Sequence, residues 1–240
     1  MSATISSSVR DTAIYNLLNT GIKHYPFPHF FIEDFFPSSF YQSVIDNLPE
    51  NRDFLPIEDT GRVKGYKKTD RYVIPLDNKD PQKIPSRVRS FWTSVTDVLQ
   101  DPRFCQALLS KFEPYLKKRF GVNLEKMGFY PDILLIRDKS KYSLWPHTDT
   151  QKRVLVLIIY LPKSDKFLDL GTSIYVPKDP EFKCPGGPHH DPKAFSRVYT
   201  APYKPNSALC FLKTANSFHG VEPNPYPGTE RNLIHFFLAH

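Results

Sequence analysis

His147 and Asp149 form an H-x-D motif directly ahead of a long apolar run, in the stretch WPHTDTQKRVLVLIIYLP from 145 to 162. Side chains at positions i and i+2 of an extended segment point to the same side. The two can therefore converge on one point, and a metal ion is one such point. Taken alone, the motif is also compatible with a capped turn before a strand.

Two later residues extend this pattern. His219 lies in SFHGVE, 72 residues after His147, and Arg231 opens the last apolar segment 12 residues after His219. Two imidazoles and one carboxylate on one face leave three positions of an octahedral metal open, which is typical of non-haem Fe(II). An arginine in an apolar strand needs an anionic partner, and its planar fork matches a carboxylate. The sequence therefore predicts an iron site beside a carboxylate-binding arginine.

A second H-x-D, formed by His189 and Asp191, lies in the Pro/Gly-rich stretch 177–195. No strand signal flanks it, so we expect a solvated or substrate-covering loop rather than a metal motif. Cys184 near His189 and His190 could indicate zinc. However, no second cysteine stands at ligand spacing, which disfavours that interpretation.

The first 120 or so residues carry helical patterns. Apolar residues at helical spacing predict helices in 37–49 and 84–100, and a third from Phe104 to Phe120 that Pro114 should split and Gly121 should end. From 121 onward the chain consists of short β-branched or aromatic runs bounded by Pro, Gly, Asn and Asp, which is typical of antiparallel strands. These runs are 129–138, 153–162, 171–177, 207–213, 217–222 and 231–240.

This order of elements predicts a mainly β, α+β fold in one domain, 1–240. The helical support should occupy mainly 10–120 and the β core, a double sheet, mainly 121–240.

In their order along the chain, His147, Asp149, His219 and Arg231 resemble the motif of the Fe(II)/2-oxoglutarate-dependent oxygenases. The spacing from His219 to Arg231, and the lead-in YPFPHFFIEDFFPSSFYQSVIDNLP from 25 to 49, are most similar to the prolyl-4-hydroxylase-like branch. The resemblance implies a double-stranded β-helix, or jelly roll. It further implies that His147, Asp149 and His219 hold Fe(II) and that Arg231 binds the far carboxylate of the co-substrate 2-oxoglutarate.

The activity that the resemblance implies is hydroxylation of an unactivated C–H bond with O₂, releasing succinate and CO₂. The substrate would be a small molecule or a peptide. Two alternatives stay open: a non-catalytic jelly-roll binding module with a relic metal site, and an oxygenase with a halogenase or desaturase outcome. Iron halogenases of this family usually lack the carboxylate, and Asp149 is in place.

The chain departs from the family pattern at two points. Leu233 stands where a serine often follows the arginine, and a tyrosine often found ahead of the H-x-D is absent, with Arg137 or Asp138 near its place. Further candidates for 2-oxoglutarate binding are Arg137 and two residues for which packing is an equal or better explanation. These two are Tyr160 at a strand end and His235, which shares the strand face of Arg231 by parity.

Composition sets the class of protein. The chain has 240 residues, a hydrophobic content of 40% and a charged content of 24%, which indicate a globular protein. The net charge of +7 comes without a Lys/Arg run interleaved with aromatics, so no nucleic-acid partner is expected. Three scattered cysteines, no signal peptide and no apolar run long enough for a membrane favour a cytoplasmic protein without a membrane partner.

The segment from Arg62 to Arg89 is locally basic, with nine Lys or Arg against three Asp. It is either a solvated face or a region that attracts anionic substrates. Together with 177–195, the part from 61 to 72 could close over the site as a lid.

Overall fold

The computed structural model describes residues 3–63, 67–76, 80–121 and 124–240. Its helices are α1 (Ala3–Asn19), α2 (Ser38–Asp46), α3 (Ser86–Gln100), α4 (Pro102–Lys111) and α5 (Glu113–Phe120). Its strands are β1 (His29–Ile32), β2 (Leu55–Pro56), β3 (Arg71–Pro75), β4 (Tyr130–Asp138), β5 (Leu144–His147), β6 (Arg153–Tyr160), β7 (Ser173–Pro177), β8 (Phe195–Thr200), β9 (Ser207–Leu212), β10 (His219–Val221) and β11 (Arg231–Ala239).

The predicted helices are confirmed, including the split in the third one. Asp101 caps α4 by accepting the N–H of Arg103 at 2.8 Å, and Pro102 occupies the first turn, where its missing N–H is tolerated. Pro114 likewise lies in the first turn of α5, so it begins a new helix instead of interrupting one. Gly121 ends α5 with a φ of +81°, a conformation that favours glycine. No helix in the described ranges combines the length and apolar character that crossing a membrane would require.

The strands form two antiparallel sheets. The larger sheet has the order β1-β9-β6-β11-β4-β3-β2, and the smaller has the order β5-β10-β7-β8. Two sheets with helices on one side match the double-sheet core predicted from the sequence and the jelly roll that the family resemblance implies. The N-terminal part, however, also supplies β1, β2 and β3 to the larger sheet, which the sequence analysis missed. These strands have two to five residues, too few to show a period of two.

Strand β11 separates the two apolar cores. It pairs with β4 on one side and β6 on the other, so it lies in the interior of the larger sheet. Its even-numbered residues Ile234, Phe236 and Leu238 pack against the helices, in a core that includes Leu99 and Phe104. Its odd-numbered residues face the smaller sheet, in a second core with residues such as Ile174 and Tyr203.

We expect the helix-facing side of β11 to dominate stability. Ile234 is fully buried, so Ile234→Ala should lower the free energy of unfolding by about 2–5 kcal/mol through lost burial and a residual cavity. Leu18→Ala is the control, because Leu18 on α1 is 49% exposed, and it should change stability by less than about 0.5 kcal/mol. Urea denaturation measures both. Equal effects of the two variants would contradict this placement of the core.

Candidate metal centre

His147 and His219 face each other across the smaller sheet. His147 ends β5, His219 begins β10, and the two are direct register partners, so their side chains lie on the same face. Their ring centroids are 4.4 Å apart. Gly220 permits this close pairing, because a Cβ there would come within 2.4 Å of the carbonyl oxygen of Leu144 on β5. The register of two short strands therefore brings together histidines 72 residues apart.

Backbone carbonyls orient both imidazoles. Nδ1 of His147 lies 3.0 Å from the carbonyl oxygen of Trp145, and Nδ1 of His219 lies 3.0 Å from that of Ser217. A carbonyl only accepts, so each Nδ1 carries the proton and each Nε2 has a free lone pair. This is the usual arrangement of metal-binding histidines.

Asp149 supplies the third group. One carboxylate oxygen, Oδ1, accepts from Nη1 of Arg153. The other, Oδ2, is buried without a hydrogen-bond partner and lies 3.6 Å from Nε2 of His219. A buried carboxylate oxygen without a partner is costly, and a cation at this point would remove the cost.

The protonation states also suit a metal. Burial and the adjacent His219 lower the pKa of His147 to about 3, and burial lowers the pKa of His219. Burial opposes ionisation of Asp149, but Arg153 and the two histidines outweigh it and hold the pKa of this carboxyl below its usual value. At neutral pH the imidazoles are therefore neutral and the carboxylate is charged, which are the forms that bind metals.

Within the described residues, one group of three potential ligands meets the geometric requirement for a metal ion. Its members are His147, Asp149 and His219, whose ligand atoms lie within 4.8 Å of one another. The residues thus fit a divalent metal with open positions, as the sequence predicts.

The second H-x-D does not form such a group. Oδ1 of Asp191 accepts the N–H of Lys193 at the start of a single 3₁₀ turn, and His190 packs among aromatic rings such as Phe182 and Phe195. His189 does approach the site, with its ring centroid 4.8 Å from that of His147. Cys184, for which zinc binding was disfavoured, is buried and belongs to no three-residue ligand group in the described chain.

The 177–195 segment contacts the first H-x-D directly. The carbonyl oxygen of Cys184 accepts from Thr148 Oγ1 at 2.9 Å, and the N–H of His190 donates to Pro146 at 2.8 Å. Gly186 has a φ of +136°, and a Cβ there would lie 2.3 Å from the carbonyl oxygen of Asp149. The segment therefore supports the backbone of the metal motif. The other segment considered as a lid is 61–72, and its residues 64–66 lie outside the described residues.

Arg231 lies at one end of the same inner face, in a row of charges. Arg71, Asp138 and Arg231 are register partners on the adjacent strands β3, β4 and β11. Nη1 of Arg231 donates to Asp138 at 2.8 Å, Nε donates to the carbonyl of Leu170 at 2.6 Å, and Nη2 donates to Thr172 Oγ1 at 3.2 Å. Arg71 binds Asp138 with two hydrogen bonds, of 2.5 and 2.9 Å.

Asp138 thus supplies an anionic partner for Arg231 from within the chain. One carboxylate serves two guanidinium groups, and the Arg231 and Asp138 side chains are only 4% and 2% exposed. The row of Arg71, Asp138 and Arg231 keeps one positive charge in excess, and Arg231 uses three of its five N–H donors in these bonds. A second carboxylate could bind there.

The other predicted 2-oxoglutarate residues occupy different places. His235 faces the inner side, as parity predicts, and lines the cavity described below. Tyr160 is fully buried. Its ring centre lies 5.6 Å from the Arg231 guanidinium carbon, and its hydroxyl accepts the N–H of Thr172 at 3.1 Å. Its contacts indicate packing that positions Arg231 and Thr172.

Arg137 lies on the opposite face, which corrects its candidacy. It precedes Asp138, and adjacent strand residues point to opposite faces. Its guanidinium donates to Asn232 Oδ1 at 2.8 Å, to Asn51 Oδ1 at 2.5 Å and to the carbonyl of Pro49 at 3.0 Å. Arg137 therefore fastens the loop after α2 to the sheet and does not line the cavity with Arg231.

One cavity of about 340 Å³ connects the metal group with Arg231. Its lining includes His147, Asp149, His219, Arg231 and His235. Several charged residues at the cavity were not candidates from the sequence: Arg71 and Arg153 line it, and Asp138 pairs with both Arg71 and Arg231. Their strand parity depended on a register that the local pattern does not contain.

Comparison with solved structures supports the architecture. The non-heme alpha-ketoglutarate-dependent carbocyclase SnoK from nogalamycin biosynthesis is similar, with a TM-score of 0.52 and 12% identity over 98% of this chain and 85% of that one. The epimerase SnoN from the same biosynthesis is similar at 0.50, with 10% identity over 95% and 81% of the two chains. The chain has the fold of the 2-oxoglutarate-dependent oxygenases. This confirms the jelly roll expected from the sequence resemblance.

A prolyl-4-hydroxylase from Pseudomonas putida matches at a TM-score of 0.48, with 15% identity over 98% of this chain and all of that one. No protein-family model matches the sequence, and no curated protein matches it. At such identities the likeness concerns fold and does not extend to substrate.

We expect the protein to bind one divalent metal ion through the first H-x-D. Asp149→Ala should abolish this binding, because it removes a charged ligand between two neutral imidazoles. Asp191→Ala is the matched control, because it alters the second H-x-D and should retain full binding. Anaerobic equilibrium dialysis with Fe(II) gives the stoichiometry. Loss of the metal in Asp191→Ala and retention in Asp149→Ala would reverse the assignment.

Proposed function

We propose that this protein is an Fe(II)- and 2-oxoglutarate-dependent dioxygenase that hydroxylates an unactivated C–H bond and releases succinate and CO₂. The observation that carries the proposal is the common cavity, which the metal-ligand group and Arg231 both line. A metal with open positions beside a buried cation suits a two-ended keto-diacid. The fold shared with SnoK and SnoN supports the same conclusion.

In this proposal His147, Asp149 and His219 hold the iron. When bound, iron and 2-oxoglutarate supply the oxidising chemistry with O₂ as the further substrate. The chain contributes orientation: the carbonyls of Trp145 and Ser217 fix the imidazoles, and Arg153 holds one oxygen of Asp149 so that the other faces the ligand group. Three protein ligands leave positions for a chelating co-substrate and O₂.

Arg231 is the proposed partner of the far carboxylate of 2-oxoglutarate. The support is electrostatic: Arg71 and Arg231 share Asp138, so a second anion would neutralise the remaining charge. Thr172, whose hydroxyl lies 3.2 Å from Nη2 of Arg231, could donate to the same carboxylate. His235 lines the cavity between Arg231 and the far end of β11 and is the next candidate for contact.

The substrate is proposed to be a small molecule or a peptide that enters beside the metal. Part of the cavity wall is apolar, with residues such as Leu134, Ile158 and Phe237, and this part would exclude water around the reacting C–H bond. SnoK is a carbocyclase and SnoN is an epimerase, so one fold supports several oxidative outcomes.

The non-catalytic alternative has one observation in its favour, which is that Asp138 already pairs with Arg231. If this pair filled the carboxylate site, 2-oxoglutarate would not bind. The complete ligand group argues for the enzyme, since a relic site has no physical reason to keep a buried carboxylate oxygen without a partner.

We expect Arg231→Ala to weaken 2-oxoglutarate binding by about tenfold to a few hundredfold. A hydrogen bond to a charged group contributes roughly 1.5–3 kcal/mol, and 1.4 kcal/mol corresponds to about a factor of ten in affinity. Arg231→Lys should recover part of the loss, because lysine supplies the charge without the fork. Anaerobic titration of the iron-loaded protein, followed by the visible charge-transfer band of a chelated 2-oxo acid, measures the affinity.

Arg137→Ala is the control for this titration, because its guanidinium binds on the opposite face of the sheet. It should leave 2-oxoglutarate affinity within about twofold of the wild type. If Arg231→Ala kept wild-type affinity, the clamp would be misassigned, and Arg71 would be the next residue to replace.

Catalysis itself is tested by substrate-stimulated succinate formation. Candidate amino acids, sugars and peptides are added to the protein with Fe(II), 2-oxoglutarate and O₂, and succinate is quantified. At least one candidate should raise the rate above the uncoupled background in the wild type and in Asp191→Ala, and none should do so in Asp149→Ala. If the iron-loaded wild type bound no 2-oxoglutarate and formed no succinate, the binding-module alternative would stand.

A further inference from the structure

The cavity continues beyond the metal group, away from Arg231. Along β11 the inward residues are Arg231, Leu233, His235, Phe237 and Ala239, and all five line the cavity. Arg231 and Phe237 are six residues apart, which is roughly 20 Å at about 3.3 Å per strand residue. Under the proposed function, 2-oxoglutarate occupies the Arg231 side, so the side near Phe237 is left for the substrate.

This far side is lined by four charged residues and two aromatic ones, which together we call the outer end. The outer end consists of Arg62, Tyr130, Asp132, Lys152, Arg153 and Phe237. Asp132 and Phe237 are register partners on β4 and β11, and Arg153 begins β6 beside them. The outer end is therefore built on the adjacent strands β4, β11 and β6, and Arg62 is contributed by the segment between β2 and β3.

Positive charge exceeds negative charge at the outer end. Arg62 pairs with Asp132, so these two charges cancel. Arg153 pairs with Asp149, whose second oxygen faces the metal group and whose charge is shared with the metal when one is bound. Lys152 is exposed and has no acidic side chain within 4.0 Å among the described residues. The surplus positive charge therefore comes from Lys152 and from Arg153, whose charge Asp149 neutralises only in part.

Arg153 is also held in place without using all its donors. Its guanidinium carbon lies 4.1 Å from the centre of the Phe237 ring, and Nη1 is the atom that donates to Asp149. Stacking on an aromatic ring fixes the plane of a guanidinium while its remaining N–H groups stay available. A cation fixed this way between a metal group and an apolar wall can bind an anionic substrate at low entropic cost.

We propose that the substrate carries a carboxylate, bound at the outer end by Arg153 and Lys152, with an apolar segment that passes Leu134, Ile158 and Phe237 beside the metal group. This rests on the proposed function and defines its substrate class.

The test uses probes of known structure. The protein is loaded with redox-inert Mn(II) and saturating 2-oxoglutarate, which fills the Arg231 side. Straight-chain carboxylates from butanoate to decanoate, and their primary amides, are then titrated while NMR records relaxation of their terminal methyl protons. We expect some of the acids to show Mn(II)-dependent relaxation and to bind about tenfold or more tightly than the matched amides, since the amides lack the charge.

Variants assign the charge that is responsible. Lys152→Gln should weaken the binding of the acids about threefold and Lys152→Glu up to about tenfold, as expected for an exposed charge. Neither should change the affinity for the amides. Lys163→Glu is the matched control: Lys163 is exposed just beyond the other end of β6 and does not line the cavity, so affinity should be unchanged.

Three results would overturn the proposal. Equal affinity for acids and amides, with 2-oxoglutarate bound, would show that the outer end does not select a carboxylate, while the proposed function would stand. Acids that bind without Mn(II)-dependent relaxation would be bound elsewhere, for which a second, open cavity of about 820 Å³ lined by Lys118, Arg119, Lys183 and Lys213 is suited. Failure of 2-oxoglutarate to bind the metal-loaded protein would refute the proposed function and the substrate class with it.

Discussion

The site depends on the two-faced character of β11. Its even-numbered side chains are buried against the helices, so its odd-numbered side chains must face the smaller sheet. A shift of one residue would exchange the two sets and place Arg231 and His235 in the helical core. The large apolar area on the helix side therefore fixes which residues reach the cavity. Packing far from the metal group determines the chemistry that the cavity can support.

The row of Arg71, Asp138 and Arg231 shows how the fold accommodates charge at this depth. Burying a charge is costly unless it is paired, and here each charge has a partner on the neighbouring strand. The row also leaves a positive surplus at this end of the cavity. In the proposed function, structural pairing and 2-oxoglutarate binding would use the same guanidinium group, which Asp138 holds in place.

Features that neighbouring residues determine could be predicted from the sequence, whereas features that depend on residues far apart in the chain could not. The split at Pro114 and the helix end at Gly121 follow from local signals, and both predictions are confirmed. The H-x-D, His219 and Arg231 were recognisable because their order resembles a known motif. His235 was placed on the correct face because parity along a single strand needs no information from elsewhere.

The parts that could not be predicted depended on strand pairing or on contacts between distant segments. Arg137 and Asp138 are adjacent, and only the register of β4 against β11 decides which of them faces inward. Arg71 lies on β3, a strand too short to show a pattern, and pairs with Asp138, 67 residues later. The 177–195 segment gave no sign that Gly186 would touch the backbone of Asp149, because that contact is visible only after folding.

The most direct test of the central claim is a crystal structure of the protein with Mn(II) and 2-oxoglutarate. The account predicts one metal ion bound by His147, Asp149 and His219, with the far carboxylate of 2-oxoglutarate against Arg231 and Asp138 still paired with Arg71. A metal ion at another site, or a co-substrate carboxylate bound away from Arg231, would contradict it.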